Sequence, residues 1–320
     1  MSNVRLFGGS SHPTLTQEIA DYLAITQGEA KVIQFSNDNF EIQLDRSVRQ
    51  KDVFLLQTFV KPVSDHLLEL LMMLDIARTS GARSIHAIIP YYSYARSDKK
   101  DAPRISVTGR LLADLMIAAG AQHVITMTLH SPQVHGFFNV HTDHLTAHSV
   151  FIDYFKQQDL SHSVVVSPDI GNAKRASKLA HSLDLPLAVG VKSRLSDDKV
   201  VISDVLGDVR GKRALITDDE IATGGSMIEL ARVLKEKGAG PIVITATHGL
   251  FTKDAAVNLN MLDNVEAVVV TNTVPVPPER RPNKLITLSV AHIFGEVIRC
   301  TISGKSVGSM FEFWPDTRTE

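Results

Sequence analysis

The run Ala214-Leu-Ile-Thr-Asp-Asp-Glu-Ile-Ala-Thr-Gly-Gly-Ser226 carries two adjacent carboxylates, Asp218 and Asp219, at the end of an apolar segment. A short loop follows, with Ala222, Thr223, Gly224, Gly225 and Ser226, and a helical pattern starts at Met227. Paired carboxylates accept hydrogen bonds from vicinal hydroxyls. The glycines let the backbone approach an anion closely. Loop N–H groups and a helix N-terminus favour a phosphate. Hydroxyls on one side and a phosphate on the other describe a sugar phosphate. Read as a plain turn, the run would use Ser226 as N-cap, but turn chemistry alone does not call for two carboxylates.

Four further stretches carry candidate chemistry. In Val164-Val-Val-Ser-Pro-Asp-Ile-Gly-Asn172, Asp169 lies just past a strand, where ligand sites form in open α/β sheets. Gly171 opens that backbone to an anion, and Lys174 and Arg175 follow on a helix. His130 ends the run His123-Val-Ile-Thr-Met-Thr-Leu-His130 and suits a ligand or a capping group. In Ile89-Pro-Tyr-Tyr-Ser-Tyr-Ala-Arg-Ser-Asp-Lys-Lys-Asp101, the cations Arg96, Lys99 and Lys100 suit a polyphosphate, and Tyr91, Tyr92 or Tyr94 a base. The same run also fits a solvated basic loop. Lys192 and Arg194, on a polar loop spanning 192–200, either close over a transferring diphosphoryl group or form a solvated charge run. Phe35, in Phe35-Ser-Asn-Asp-Asn-Phe-Glu41, reads by itself as a core residue.

These motifs, in this order, resemble the type I phosphoribosyltransferase family and within it the ribose-phosphate diphosphokinases. The resemblance covers essentially the whole chain, through Thr271-Asn-Thr-Val-Pro and Gly304-Lys-Ser-Val-Gly-Ser-Met-Phe311. It implies that Asp218, Asp219, Ala222, Thr223, Gly224, Gly225 and Ser226 hold ribose 5-phosphate. It implies a diphosphate loop at Asp169 and Gly171, and catalytic roles for Lys192 and Arg194. Phe35, Asn37, Asp38, Asn39, Arg96, Ser97 and Lys99 would bind ATP, with the Phe35 segment reaching in from a neighbouring subunit. Mg2+ would be held near His130 and Asp169, its shell completed by water and phosphate oxygens. The chain departs from the family pattern at Asn39, Ser97, Thr128 and Asn172, and at Ala222 and Ser226. Ala222 removes a carboxylate, whereas Ser226 keeps the hydroxyl of the usual Thr.

The elements that must position these residues alternate along the chain. Strands are expected at 31–35, 53–57, 84–89, 123–128, 163–167, 187–191, 213–217, 242–247, 267–271 and 285–288. Helices are expected at 15–26, 65–79, 107–119, 147–157, 173–183, 227–237, 254–261 and 290–302. Most strands are apolar on consecutive positions, as strands buried on both faces are. The second helix carries Ser64 as expected N-cap after Pro62. The expected fold class is α/β, with a central, mainly parallel sheet and helices on both faces of each half. The resemblance makes these halves two tandem phosphoribosyltransferase-like domains. The first, 1–145, would be the ATP side. The second, 146–320, would be the ribose 5-phosphate side, with a C-terminal tail that packs back on the first.

Composition narrows the class. With 320 residues, each half can bury its own core. Hydrophobic content of 44% and charged content of 21% describe an ordinary soluble protein. A net charge of −2 gives no pointer to nucleic acid or membrane. The single cysteine, Cys300, excludes an internal disulfide and a cysteine-based metal cluster. The start lacks a signal-peptide pattern, so a cytoplasmic protein is expected. The expected activity is diphosphoryl transfer from ATP to the 1-hydroxyl of ribose 5-phosphate, in a homo-oligomer that is a hexamer or dimer-based. Two alternatives stand beside it: a phosphoribosyltransferase that consumes phosphoribosyl diphosphate, and a non-catalytic regulatory homologue.

Overall fold

The computed structural model describes residues 3–196 and 199–310, without the side chains of 193–201 and of Ser309. Two seven-stranded sheets carry the chain. The first comprises β1 (Val4–Gly8), β2 (Gly28–Gln34), β3 (Phe40–Leu44), β4 (Asp52–Leu56), β5 (Ser84–Ile89), β6 (His123–Met127) and β7 (His141–Leu145). The second comprises β8 (Ser163–Ser167), β9 (Leu187–Ser196), β10 (Lys199–Leu206), β11 (Arg213–Ile221), β12 (Ile242–Gly249), β13 (Val265–Thr271) and β14 (Leu285–Leu288). Their strand orders, β3-β2-β1-β4-β5-β6-β7 and β10-β9-β8-β11-β12-β13-β14, are the same topology used twice. All pairs are parallel except the edge hairpins β2–β3 and β9–β10.

The helices are α1 (Pro13–Leu23), α2 (Val63–Thr79), α3 (Thr108–Ala119), α4 (His148–Phe155), α5 (Ala173–Ser182), α6 (Gly225–Glu236), α7 (Ala255–Asn260) and α8 (Ala291–Ser303). Central strands such as β4 and β8 are buried at every position, which is why they read as unbroken apolar runs. The sheet positions Val53, Leu55, Ile85 and Ala87 join one core with Leu70, Met73 and Leu112 from the helices. Val164, Val166, Ile216 and Ile244 do the same in the other sheet with Leu230 and Leu234.

The chain forms two compact units, Met1–Thr146 with Val290–Glu320, and Ala147–Ser289. Helix α8 belongs to the first unit and packs on α1, where Tyr22 donates to Glu296 at 3.0 Å and Arg299 lies over the Tyr22 ring. Among the described residues no helix is long and apolar enough to cross a membrane.

Several local expectations are corrected. Strands β1, β3, β7 and β10 lie outside the expected set. The first is short and holds Arg5, β3 is a half-exposed edge strand, and β7 is polar, so none shows a buried-strand pattern. The segment 192–200, expected as a loop, is mostly paired strand, because β9 and β10 form an antiparallel hairpin. Helix α2 is preceded by Pro62 as N-cap, and the Ser64 side chain makes no cap bond. Helix α6 starts one residue before Ser226, with Gly224 as N-cap.

Candidate active site

The second sheet reverses its winding between β8 and β11, the position at which open α/β sheets form a ligand crevice at their strand C-termini. The two loops expected to bind phosphate and sugar leave from these two adjacent strands. Strand β11 runs parallel to β8 over Arg213–Ile216 and continues through both carboxylates to Ile221. The loop 222–224 then turns through Gly224, whose φ of 72° lies in the left-handed region. A Cβ there would also sit 3.3 Å from Ile228 Cδ1, so glycine is needed for backbone and for space. Among the described residues no side chain caps α6, which leaves the first-turn N–H groups aimed at the loop.

Asp218 accepts from the Asp219 N–H at 2.9 Å. Burial, and then the neighbouring charge and hydrogen bond of Asp219, hold the Asp218 carboxyl well above the usual carboxylate range. Arg175 from α5 stands 3.9 Å from Asp219 and partly offsets that charge. A crowded carboxylate pair of this kind is relieved by hydroxyl donors or a cation. Glu220, buried beside the pair, was not singled out from sequence; its position inside a β-strand rather than a loop gives no separate signal.

On the neighbouring loop, Asp169 accepts from Asn172 N–H at 2.9 Å and pairs with Lys192 Nζ at 2.5 Å. Burial pushes the Asp169 carboxyl up, but Lys192, Asn172 and Gly171 outweigh it and hold it below its ordinary value. Asn172, which stands where a glycine is usual, uses its side-chain amide to donate to Thr217 O at 2.7 Å, tying the β8 loop to β11. The structure thus brings Asp169, Gly171 and Lys192 into one cluster, and Asp218, Asp219 and residues 222–226 onto the neighbouring loop. Arg194 lies on β9, and its side chain falls outside the described residues.

The first unit holds the other candidates. Arg96 and Lys99 are exposed on the segment after β5. His130 is exposed on the segment after β6. Ser131 Oγ donates to Asp98 at 2.5 Å and links these two segments. Thr128 takes a φ of 44°, a conformation that a β-branched residue adopts at a cost, just before His130. His144 Nε2 accepts from Leu129 N–H at 2.9 Å and braces the same turn.

Two tyrosines are structural instead of base-facing. Tyr92 is buried against Phe59 and Phe138, and donates to Gly109 O at 2.9 Å; Tyr91 is buried as well. Ser97 uses its hydroxyl locally, accepting from Thr108 N–H at 3.0 Å and donating to Ser106 O at 3.2 Å.

Phe35 is 46% exposed at the tip of the β2–β3 hairpin, where Asn37, Asp38 and Asn39 form the turn, so it is not a core residue. Strands β1 and β4 separate β2 from β5, so Phe35 does not join the Arg96 segment within one sheet. The switch point of this sheet, between β1 and β4, is filled by its own side chains. Ser11 Oγ donates to Gln57 at 2.5 Å, Gln57 donates to Glu69 at 2.6 Å, and Ser10 Oγ donates to Glu69 at 2.6 Å.

The family model for the N-terminal domain of ribose phosphate pyrophosphokinase matches residues 4–120, and that for the phosphoribosyl synthetase-associated domain matches residues 190–312. The ribose-phosphate pyrophosphokinase of Deinococcus radiodurans is 45% identical, over 97% of this chain and 98% of its own length. This chain belongs to the ribose-phosphate pyrophosphokinase family. The enzyme of Synechococcus elongatus is 43% identical over 96% of this chain and 93% of its own. The crystal structure of phosphoribosylpyrophosphate synthetase from Mycobacterium smegmatis superposes with a TM-score of 0.88 at 36% identity, covering 94% of this chain and 99% of that one.

Proposed function

We propose that this chain is a ribose-phosphate diphosphokinase. The 1-hydroxyl oxygen of ribose 5-phosphate attacks the β-phosphorus of ATP, the bond from that phosphorus to the α-β bridging oxygen breaks, and AMP leaves. The hydroxyl proton is released, and phosphoribosyl diphosphate carries the β,γ-diphosphoryl group. The observation that carries this reading is the meeting of two anion-ready loops at the β8–β11 switch point, one with an acidic pair and one with a lysine-paired aspartate.

The 5-phosphate binds the N–H groups of 223–226, and Asp218 and Asp219 accept from the ribose hydroxyls. Lys192, now on Asp169, and Arg194 carry positive charge to the equatorial oxygens as they develop charge. Arg96 and Lys99 hold the polyphosphate of ATP. The adenine stacks on the exposed Phe35, with Asn37, Asp38 and Asn39 beside it, contributed by a second copy of the chain in a homo-oligomer. The commitment of the Ser97 hydroxyl to the α3 terminus leaves it a positioning role.

The residues suit Mg2+: in the second unit the crowded Asp218–Asp219 carboxylates and Asp169 offer oxygen, and in the first unit His130 offers a nitrogen donor. When bound, Mg2+ supplies charge neutralisation of the polyphosphate. A cytoplasmic location belongs to this proposal, and among the described residues no helix is long and apolar enough to cross a membrane.

The test is purified protein with ATP, Mg2+ and ribose 5-phosphate, followed for AMP and phosphoribosyl diphosphate. Diphosphate release that requires a nucleobase would instead mark a phosphoribosyltransferase, and a folded protein that makes no AMP would mark a regulatory homologue.

A further inference from the structure

The first sheet carries a second cluster of chemistry at the end opposite the Arg96 and His130 segments. Phe54, His86, His123 and His141 are register partners on β4, β5, β6 and β7. Register partners share a face of the sheet. Their rings form a row: Phe54 stacks on His86 at 4.2 Å, His86 meets His123 edge-on at 5.2 Å, and His123 stacks on His141 at 4.3 Å. Asp143, two residues beyond His141, returns to that face. His123 and Asp143 are buried, while His141 is exposed.

A chain of polar contacts backs this row. Ser84 Oγ donates to Asp52 at 2.7 Å, and His86 Nε2 lies 2.8 Å from the same Oγ. His86 Nδ1 and His123 Nδ1 stand 2.9 Å apart, so the two rings are fixed against each other by a shared proton. The second nitrogen of His123, Nε2, faces the Asp143 Oδ2 at 3.0 Å.

His141 supplies what a cation would want. Its Nε2 is 3.7 Å from Asp143 Oδ1, and one donor atom from each of His123, His141 and Asp143 lies within 4.8 Å of the others. Bonds of about 2.0–2.2 Å to a tetrahedral zinc ion space its ligands by roughly 3.3 Å. Two imidazoles and one carboxylate are a zinc-type donor set, unlike the all-oxygen preference of Mg2+. Three protein ligands leave the fourth position to water on the exposed His141 side.

We propose that His123, His141 and Asp143 bind a divalent transition metal ion of the zinc class, with His86, Ser84 and Asp52 fixing the His123 tautomer from behind. The ion joins the edge strand β7 to β6 and is separate from the metal that accompanies ATP. Such a hydrogen-bonded chain behind a ligating histidine is the usual support of a metal site.

The full-length protein, stripped with chelator and exchanged into metal-free buffer, is titrated with Zn2+ by calorimetry and with Co2+ by absorption. The expected result is a site with the intense visible bands of tetrahedral Co2+, displaced by Zn2+. His141→Ala, at an exposed position that the fold does not need, and Asp143→Asn should each weaken Zn2+ at least about 100-fold at this site. Ser84→Ala should weaken it about 10- to 100-fold, as loss of a supporting partner does. His130→Ala should leave the Co2+ bands in place. The proposal is overturned if folded wild type shows no tetrahedral Co2+ spectrum, or if His130→Ala abolishes the spectrum while His141→Ala keeps it. It is equally overturned if nitrogen NMR finds both His123 ring nitrogens protonated at saturating Zn2+.

Discussion

Lys192→Ala separates a catalytic lysine from a merely structural one. In the structure its ammonium sits 2.5 Å from Asp169, with 37% of the lysine side chain and 29% of the aspartate exposed. An ion pair so open to solvent is screened, and contributes at most about 1 kcal/mol. The melting temperature of the variant should therefore fall by no more than about 2–4 °C. That loss has a definite pH sign. The folded Asp169 carboxyl is held below its ordinary value, so its contribution to stability is present above the unfolded pKa and is lost as pH falls through the folded one. Wild type and variant should accordingly differ at neutral pH and converge in acid. Turnover should respond on another scale. Removing one donor aimed at charge that develops only in transfer costs about 2.7–4 kcal/mol, or roughly 100- to 1000-fold in kcat. Affinity for ATP and for ribose 5-phosphate should barely change, because the interaction belongs to the transition state. The assays are steady-state AMP formation, calorimetric binding of each substrate, and thermal unfolding at several pH values. A variant whose kcat stays within a few-fold of wild type would refute the catalytic assignment and leave the Lys192–Asp169 contact as surface electrostatics.

Three further outcomes are expected. Asp218→Asn should weaken ribose 5-phosphate binding by about 1.5–3 kcal/mol, roughly 10- to 150-fold in Kd. The same variant should melt higher than wild type at neutral and alkaline pH: a carboxyl held high in the fold contributes stability at low pH that is lost as pH rises through its folded pKa, and Asn has no such loss. Calorimetry at pH 5 and pH 8 that found no pH-dependent difference would remove the crowded-pair argument. Gly224→Ala should cost about 1–2 kcal/mol from the left-handed backbone alone, and should lower sugar-phosphate affinity by displacing the loop; equal unfolding midpoints in urea would contradict it. Phe35→Ala should leave thermal stability unchanged, because the ring is exposed, and raise KM for ATP through lost stacking of about 1–3 kcal/mol. An unaltered KM would take the hairpin tip out of the nucleotide site.

The sequence by itself determined the α/β class, because buried parallel strands must be apolar on both faces and therefore read as runs such as 163–167 and 242–247. It also determined the family, since paired carboxylates, a Thr-Gly-Gly-Ser turn and the Asp169 loop are local chemistry that stays contiguous in the chain. What it left open was everything set by neighbours distant in sequence. The edge strands β3, β7 and β10 lack the continuous burial of the central strands, and partners across the sheet satisfy their backbone groups. Tyr92 and Ser97 sit in a motif of binding residues, yet tertiary packing committed one to the core and the other to the start of α3. The pairing of Lys192 with Asp169, and of Asn172 with Thr217, joins residues 23 and 45 positions apart. The histidine row is the clearest case. His86, His123 and His141 look unrelated along the chain, and only strand register sets them side by side. Burial then disfavours the charged form of His86, a property that follows from surroundings and not from residue type.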